Sequence, residues 1–177
     1  MIDNKKLTEE INMNDLFRQI SKQVTKIQRE FGAGFQENIL QAALAKEFLD
    51  AKIEYEKELN LDIIYKGSPI GSIRADFYIP KQAKYKTSED LIIETKQAPL
   101  VTKPEQLSQL KIYLKSRQKH LGKKGIAKAM LIHWENRDSL NESEDKLTFS
   151  TDIKVEVWEI SKNSKSLNKI WSSINGK

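Results

Sequence analysis

The sequence predicts an α/β fold, a mixed β-sheet flanked by helices, and three patterns carry this prediction. Apolar residues recur at spacings of three and four up to about residue 51, which is typical of amphipathic helices. Apolar and polar residues then alternate from Ile53 to Ile79, which favours antiparallel strands. The continuous apolar run Leu91-Ile92-Ile93 indicates a strand buried on both faces.

The N-terminal part of the chain predicts two helices and then a strand. The apolar residues of the first helix share one face: Leu16, Ile20, Val24, Ile27 and Phe31. Gly32 and Gly34 interrupt this pattern, and a second helix is expected from Phe35 to about Ala51. One long strand or two short ones should follow over Ile53–Tyr65, and Lys66–Gly71 predicts a turn.

The strand that returns after this turn separates two sets of side chains. Ile73, Ala75, Phe77 and Ile79 form its apolar face, and Arg74, Asp76 and Tyr78 lie on the other. A polar loop is expected at Pro80–Asp90 and the buried central strand at Leu91–Gln97. Thr102 and Glu105 resemble a capping box, which predicts a helix from there to about Lys119.

The C-terminal part predicts two more strands and a last helix. The expected elements are a strand at Ile126–Trp134, a polar surface excursion at 136–151, a strand at Ile153–Ile160, and a closing helix carrying Leu167, Ile170, Trp171 and Ile174. We expect a single domain over residues 1–177, with an N-terminal helical extension at 1–31, a motif-bearing core at 32–134, and a C-terminal strand and helix at 135–177.

Composition limits the chemistry that the chain can perform. The 177 residues include no cysteine and two histidines. Disulfides, thiolate zinc sites, iron–sulfur clusters and a cysteine nucleophile are therefore excluded. A metal ion would be bound mainly through oxygen, which favours magnesium or manganese.

Charge and hydropathy indicate where the protein acts. No apolar stretch approaches the roughly 20 residues of a membrane span, and the N-terminus has no signal-peptide core. We therefore expect an intracellular protein with no membrane contact, either cytoplasmic or nucleoid-associated, or nuclear in a eukaryote. The net charge of +5 suits a polyanionic partner, of which nucleic acid is the commonest. A homodimer or a protein partner is left open.

Glu94 and Lys96 are the most informative residues. Two residues apart on a strand, they point to the same face, directly after an apolar run. Buried charges need partners. A divalent metal ion could neutralise Glu94 while Lys96 holds a water or a phosphate oxygen, and Asp76 could supply a second acid. Such a set suits phosphodiester hydrolysis, with Glu37 as a further acid.

These residues resemble a known family. Asp76 followed by Glu94-Thr95-Lys96 is similar to the signature of the PD-(D/E)XK nucleases. Three further segments resemble motifs of its GxxExxY branch, and they occur in the order of that branch: Gly32-Ala33-Gly34-Phe35-Gln36-Glu37, then Tyr65-Lys66-Gly67 with Gly71-Ser72-Ile73-Arg74-Ala75-Asp76, and Gln109-Leu110-Lys111-Ile112-Tyr113-Leu114. The chain departs from the branch at one position, since it has Leu40 where the branch has a Tyr.

The resemblance implies a restriction-endonuclease-like fold, related to RecB-like and lambda-exonuclease-like enzymes, and a magnesium-dependent nuclease that hydrolyses DNA, with manganese as a possible substitute. It implies these catalytic residues: Glu37, Asp76, Glu94, Lys96 and Gln109. The metal would be bound by Asp76, Glu94 and the backbone carbonyl of Thr95, with Glu37 as a further ligand. The expected contacts to nucleic acid are Arg74, Tyr113, Lys115, Lys123 and Lys124.

Other interpretations of the same residues stay open. The chain could be a catalytically inactive nucleic-acid-binding or scaffold protein that retains the fold, or a basic partner-binding module whose acids are only salt-bridged. Glu37 could be an ordinary acid on a helix surface, and Gln109 and Tyr113 could form a solvent face. The basic run that begins at Lys111 could be a solvated helix end. Metal-dependent action on DNA separates the enzyme from these alternatives.

Overall fold

The computed structural model describes residues 4–121, 128–136, 138–141, 146–161, 163 and 166–176, with side chains described outside 4–12, 117–121, 138–141 and 146–149. The elements in chain order are α1 (Asn4–Phe31), α2 (Glu37–Asp50), β1 (Glu56–Tyr65), β2 (Ser68–Ile79), β3 (Leu91–Gln97), α3 (Pro104–Leu121), β4 (Lys128–Trp134), β5 (Asp138–Asn141), β6 (Lys146–Phe149), β7 (Ile153–Ile160) and β8 (Leu167–Ile174).

Six of the strands form one mixed sheet in the order β1-β2-β3-β4-β7-β8, and β5 and β6 pair separately. The β3–β4 pair is parallel and the other neighbours are antiparallel. Parallel neighbours need a crossover connection, and α3 provides it. The predicted mixed sheet flanked by helices is confirmed, and β3 spans the residues predicted for the central strand.

The sheet is covered on both faces. One face packs against α1 and α2 through a core that includes Phe17, Leu44, Phe77 and Trp134. The other face packs against α3 through a smaller core that includes Leu110. Because both faces are covered, the side chains of β3 are buried from Leu91 to Thr95. Within the part of the chain that the structure describes, no helix is long and apolar enough to cross a membrane.

The predicted closing helix is wrong, because its residues form the edge strand β8. Leu167 packs on the α3 side of the sheet and Trp171 on the α1 side. Residues four apart on a regular strand share a face, but the β7–β8 register shifts between Val157 and Trp158. Because of this shift, Leu167 and Trp171 lie on opposite faces of the sheet although they are four residues apart. Apolar residues at this spacing are typical of a helix, which is why the sequence predicted one.

Two local predictions also need correction. The predicted turn at Lys66–Gly71 is shorter, because β2 begins at Ser68. At the start of α3 the capping contact comes one residue later than predicted: Gln106 Oε1 accepts a hydrogen bond from Lys103 N at 2.7 Å. The excursion at 136–151 contains the antiparallel strands β5 and β6, which the sequence did not predict.

Candidate active site

The candidate site begins where β2 and β3 stop pairing. The last paired residues are Phe77 on β2 and Ile93 on β3, and their sequence neighbours Asp76 and Glu94 lie just beyond the paired region. There the Asp76 carboxylate replaces the ladder: Asp76 Oδ2 accepts hydrogen bonds from Thr95 N at 2.7 Å and from Thr95 Oγ1 at 2.8 Å. The end of the ladder thereby fixes one oxygen of Asp76 and places its carboxylate beside that of Glu94.

Glu94 is held by donors from β3 and α3. Its Oε1 accepts from Lys96 Nζ at 2.5 Å and from Gln109 Nε2 at 2.8 Å. Its Oε2 lies 2.8 Å from the Tyr113 hydroxyl. Only 3% of Glu94 is exposed. Burial, followed by the negative charge of Asp76, raises the pKa of Glu94 despite the hydrogen bond from Lys96.

The α3 side chains form a small network beneath Glu94. Gln109 and Tyr113 are one helical turn apart and therefore share a face. Gln109 Nε2 donates to the Tyr113 hydroxyl at 2.6 Å, and that hydroxyl also lies 2.7 Å from the Arg74 carbonyl. Burial and the charge of Glu94 raise the pKa of Tyr113, so the phenol stays protonated and can donate.

Lys96 remains charged in this setting. Burial alone would lower its pKa, but the hydrogen bond and charge of Glu94 outweigh burial, and Glu37 and Asp76 add to the rise. The net effect is a raised pKa. Lys96 is therefore an ammonium bonded to Glu94, with the charges of two further carboxylates acting on it, and 29% of its side chain is exposed.

Helix α2 approaches the site from the other face of the sheet. Glu37 Oε2 accepts a hydrogen bond from Gln97 N at 2.9 Å. Gln41, one turn further along α2, donates through Nε2 to Thr95 Oγ1 at 2.9 Å. Leu40, at the position of the family's Tyr, is fully buried in the core between α2 and the sheet. The polar contact with the site therefore comes from the neighbouring Gln41.

Sequence reasoning missed Gln41 and the side-chain role of Thr95. A usable signal existed, since Glu37 and Gln41 are spaced by four residues and share one helix face. The sequence alone could not show which strand that face approaches.

The structure brings together most of the predicted site residues, but not all of them. Glu94, Lys96, Gln109 and Tyr113 form one hydrogen-bonded group, and Asp76 is bound to the adjacent Thr95. Glu37 joins neither group, because its hydrogen bond goes to Gln97 N. Arg74 contributes only its carbonyl, because its side chain is 62% exposed and lies 3.6 Å from Glu58. Lys115 is exposed on α3 and makes no contact with this group. Lys123 and Lys124 lie outside the described residues.

The oxygen atoms present suit a hard divalent cation. Asp76 Oδ2 is fixed by Thr95, and Asp76 Oδ1 accepts no hydrogen bond from the described residues. Two neighbouring carboxylates with one ammonium leave an excess of negative charge at the site. Among the described residues, no three His, Cys, Asp or Glu side chains are grouped closely enough to hold a metal ion. The donors would thus be Asp76, Glu94 and a backbone carbonyl, a set that fits magnesium or manganese.

The sheet is mixed and has helices on both faces. An acid on β2 and an acid–x–lysine on β3 lie where the pairing of these two strands stops. This arrangement defines a restriction-endonuclease-like fold of the nuclease type. The chain belongs to the PD-(D/E)XK nuclease superfamily, whose model matches residues 14–136. This confirms the predicted superfamily and the predicted fold class.

The remaining comparisons add no closer relative. A search of curated proteins and a search of solved structures find no match to the chain. Nucleases of the superfamily act on nucleic acid and typically use divalent metal ions. Assignment to the GxxExxY branch and the roles of individual residues stay predictions.

Proposed function

We propose that this protein is a magnesium-dependent nuclease that hydrolyses phosphodiester bonds in DNA, and that manganese can replace magnesium. The observation that carries the proposal is the convergence of Asp76, Glu94 and Lys96 at the point where β2 and β3 stop pairing. The raised pKa of Glu94 supports it, because this carboxylate lacks sufficient compensating positive charge.

The residues of the candidate active site would have different roles in the reaction. Asp76 and Glu94, with the Thr95 carbonyl, would hold the metal ion. Glu37 would stay outside the metal ligands, because it does not group with these two acids among the described residues and its carboxylate accepts from Gln97 N. A divalent ion there supplies Lewis acidity toward the phosphate and lowers the pKa of water. Lys96, which is kept charged by its acidic neighbours, would orient the attacking water or a phosphate oxygen.

The supporting residues would keep these groups in place. Gln109 and Tyr113 fix both oxygens of Glu94 from α3, and Thr95 fixes one oxygen of Asp76. Held acids lose little freedom when substrate binds, which favours catalysis. An inactive binding protein would have no need to hold two mutually repelling carboxylates at this position.

The test is cleavage of linear, circular, branched and single-stranded DNA and of a matched RNA, with magnesium and with EDTA. We expect DNA cleavage with magnesium and none with EDTA. Asp76→Asn should abolish cleavage, because Asn cannot replace the carboxylate charge. Asp62→Asn on β1 is the matched control, since Asp62 is exposed, and it should cut at the wild-type rate.

Other outcomes would contradict specific parts of the proposal. Cleavage that persists in EDTA, or that survives Asp76→Asn, would overturn the assigned mechanism. Cleavage of RNA alone would overturn the assignment of DNA as substrate. Metal-independent binding of DNA without cleavage would support the alternative of an inactive binding protein.

A further inference from the structure

A second Glu–Lys pair lies on the same face of the sheet as the candidate active site. In the register of β3, β4 and β7, Glu94 pairs with Leu131, which pairs with Glu156. Directly paired residues point to the same face of a sheet. Glu156 therefore lies in the same cross-strand row as Glu94, on the face covered by α3.

The lysines form the adjacent row. Lys96 pairs with His133, which pairs with Lys154. Since β4 alone separates β3 from β7, the two Glu–Lys pairs are about 10 Å apart, at roughly 4.8 Å per strand. One nucleic-acid strand covers that distance in about three nucleotides, at 3.4 Å of rise each.

The second pair belongs to a cationic cluster that we call the β7 cluster: Thr102, Lys154, Glu156 and Lys169. Glu156 Oε1 lies 3.0 Å from Lys154 Nζ and 3.1 Å from Lys169 Nζ, and Oε2 accepts from the Thr102 hydroxyl. Lys154 Nζ also lies 3.1 Å from Thr102 Oγ1. One carboxylate thus serves two ammonium groups, and the cluster keeps a net charge of one positive unit.

The cations of the cluster remain partly accessible while the acid does not. Glu156 is 1% exposed, whereas the side chains of Lys154 and Lys169 are 18% and 45% exposed. A single lysine would neutralise Glu156, so the second cation is not needed for internal charge balance. Buried ion pairs are also weak contributors to stability. The arrangement therefore suits a carboxylate that positions two cations for an external anion.

His133 supplies an independent observation. It is fully buried between Lys96 and Lys154 in the row of lysines, and neither ring nitrogen has a hydrogen-bond partner among the described residues. The Pro99 carbonyl is near the ring but makes no hydrogen bond of normal geometry. A buried donor without a partner is costly, and an incoming phosphate oxygen or its water would remove that cost.

We propose that Thr102, Lys154 and Lys169 bind a backbone phosphate of the nucleic acid, a few nucleotides from the phosphate that is cleaved beside Glu94 and Lys96. Glu156 is a positioning residue that holds the two lysines, and His133 completes the site from beneath. This inference rests on the proposed function, and it adds a second contact that sets the path of the strand across the sheet from β3 to β7.

The test compares Lys154→Gln/Lys169→Gln with Lys128→Gln. Lys128 is a matched control: its side chain is 14% exposed and ion-paired with Glu89 at 2.8 Å and Glu159 at 3.1 Å, but it lies at the other end of β4. All variants carry Asp76→Asn so that the DNA stays intact. Affinity for fluorescein-labelled 20-nucleotide DNA is measured by anisotropy from 50 to 200 mM salt.

The double variant should bind about tenfold more weakly, and the slope of log K against log salt should become shallower by about one, because one phosphate contact is lost. Lys128→Gln should leave both quantities unchanged. Lys169→Gln alone, at the more exposed lysine, should give part of the effect, and it keeps the test valid if the double variant does not fold.

Ring nitrogen spectra of ¹⁵N-histidine protein give a second readout. The chain has two histidines, and a His120→Gln variant assigns their signals. The His133 signal should shift when unlabelled DNA is added, and the shift should be lost in the double variant. A circular single strand should behave like the linear one, since backbone phosphates are the ligand. An effect confined to 5′-phosphorylated ends would overturn the backbone assignment.

The outcome also separates this inference from the proposed function. If the wild type cuts DNA with magnesium while the double variant keeps the wild-type affinity and salt slope, the β7 cluster is only a structural ion-pair group and this inference is wrong. If the wild type neither binds nor cuts nucleic acid, the proposed function is wrong and this inference is wrong with it.

Discussion

Two Glu–Lys pairs face α3 in the same two cross-strand rows, and their electrostatics are opposite. On β3, burial and the charge of Asp76 raise the pKa of Glu94, and Lys96 is its one ammonium partner within the described part of the chain. On β7, burial would also raise the pKa of Glu156, but the hydrogen bonds from Thr102, Lys154 and Lys169 outweigh burial and lower it.

The difference shows how one sheet face can hold two kinds of site. Both acids are almost completely buried, so burial does not distinguish them. What distinguishes them is the ratio of ammonium groups to carboxylates. Among the described residues around Glu94 there is one ammonium group, Lys96, for the two carboxylates of Glu94 and Asp76. Around Glu156 there are two ammonium groups for one carboxylate. The β3 site therefore needs a cation, whereas the β7 cluster can receive an anion.

The largest expected effect comes from removing Lys96, the lysine of the Glu94–Lys96 pair on β3. Lys96→Ala should reduce the rate of DNA cleavage by about 10²–10³-fold, because it removes a charged group that acts on developing charge. DNA affinity should change little, because Lys96 is already paired with Glu94 and so contributes little free positive charge to binding of the DNA backbone. Single-turnover rates and anisotropy on the same DNA measure the two quantities.

Lys128→Ala is the control for Lys96→Ala, because Lys128 is similarly buried and paired but lies at the opposite end of β4. It should cut at the wild-type rate. A Lys96→Ala protein that also cuts at that rate would remove Lys96 from the mechanism.

The second prediction concerns the excess of negative charge at the candidate active site, where Asp76 and Glu94 have one ammonium group of the described residues, Lys96, between them. Magnesium or manganese at about 100 times its Kd should stabilise the fold by about 2.7 kcal/mol, and so raise Tm by roughly 5–10 °C. Asp76→Ala should abolish this gain, because it removes one of the two acids that would hold the ion. Thermal melts with and without each ion provide the measurement.

Glu156→Gln is the matched control for the metal experiment. Its carboxylate is already compensated by two ammonium groups, so this variant should keep the full magnesium response. A wild-type Tm that is indifferent to millimolar magnesium and manganese would contradict the metal site.

The third prediction compares the two acids through pH. The pKa of Glu94 is raised above its ordinary value of 4.5 in the folded protein. The fold therefore loses stability as the pH rises above 4.5 and Glu94 ionises. The pKa of Glu156 is lowered below 4.5, so its contribution is fully present above about 4.5 and is lost as pH falls below it. The two acids therefore have opposite effects on the pH dependence of stability.

Urea unfolding in EDTA from pH 3 to pH 8 tests this contrast. Relative to the wild type, Glu94→Gln should gain stability as pH rises, whereas Glu156→Gln should lose stability as pH rises. The cost of Glu156→Gln at pH 7 should be about 1–3 kcal/mol, typical of a buried polar group that loses a charged partner. Parallel pH profiles for the two variants would contradict the assigned electrostatics.

The sequence could predict the β3 pair because its evidence is local. Strand periodicity puts Glu94 and Lys96 on one face, and the preceding apolar run places them at a buried strand. The β7 cluster could not be predicted in this way. Alternation does place Lys154 and Glu156 on one face, but their alignment with Lys96 and Glu94 depends on the register across β4, which is set by three-dimensional packing.

The errors in the C-terminal part have the same origin. Leu167 and Trp171 follow a helical spacing in the sequence, and only the register shift in the β7–β8 pair explains that spacing in a strand. Likewise, the sequence located Glu37 on a helix but could not show that Gln41 makes a polar contact with β3, whereas Leu40, at the family's Tyr position, is buried in the core.

The smallest expected effect concerns this Gln41 contact. Gln41 Nε2 donates to Thr95 Oγ1, and Thr95 Oγ1 donates to Asp76 Oδ2, so a chain of hydrogen bonds runs from α2 to the acid. The contact orients Thr95 rather than the substrate, so its loss should act on positioning alone. Gln41→Leu should lower kcat by about fivefold, equivalent to about 1 kcal/mol, with DNA affinity unchanged.

Two variants sharpen the Gln41 test. Gln36→Leu is the control, since Gln36 is exposed just before α2 and its side chain makes no capping hydrogen bond. It should retain the wild-type kcat. Thr95→Val removes the next link of the chain, so adding Gln41→Leu to it should cause no further loss of rate, because residues in one hydrogen-bond network do not act additively. Additive losses would mean that Gln41 acts outside this chain, and that only Thr95 and the end of the β2–β3 ladder orient Asp76.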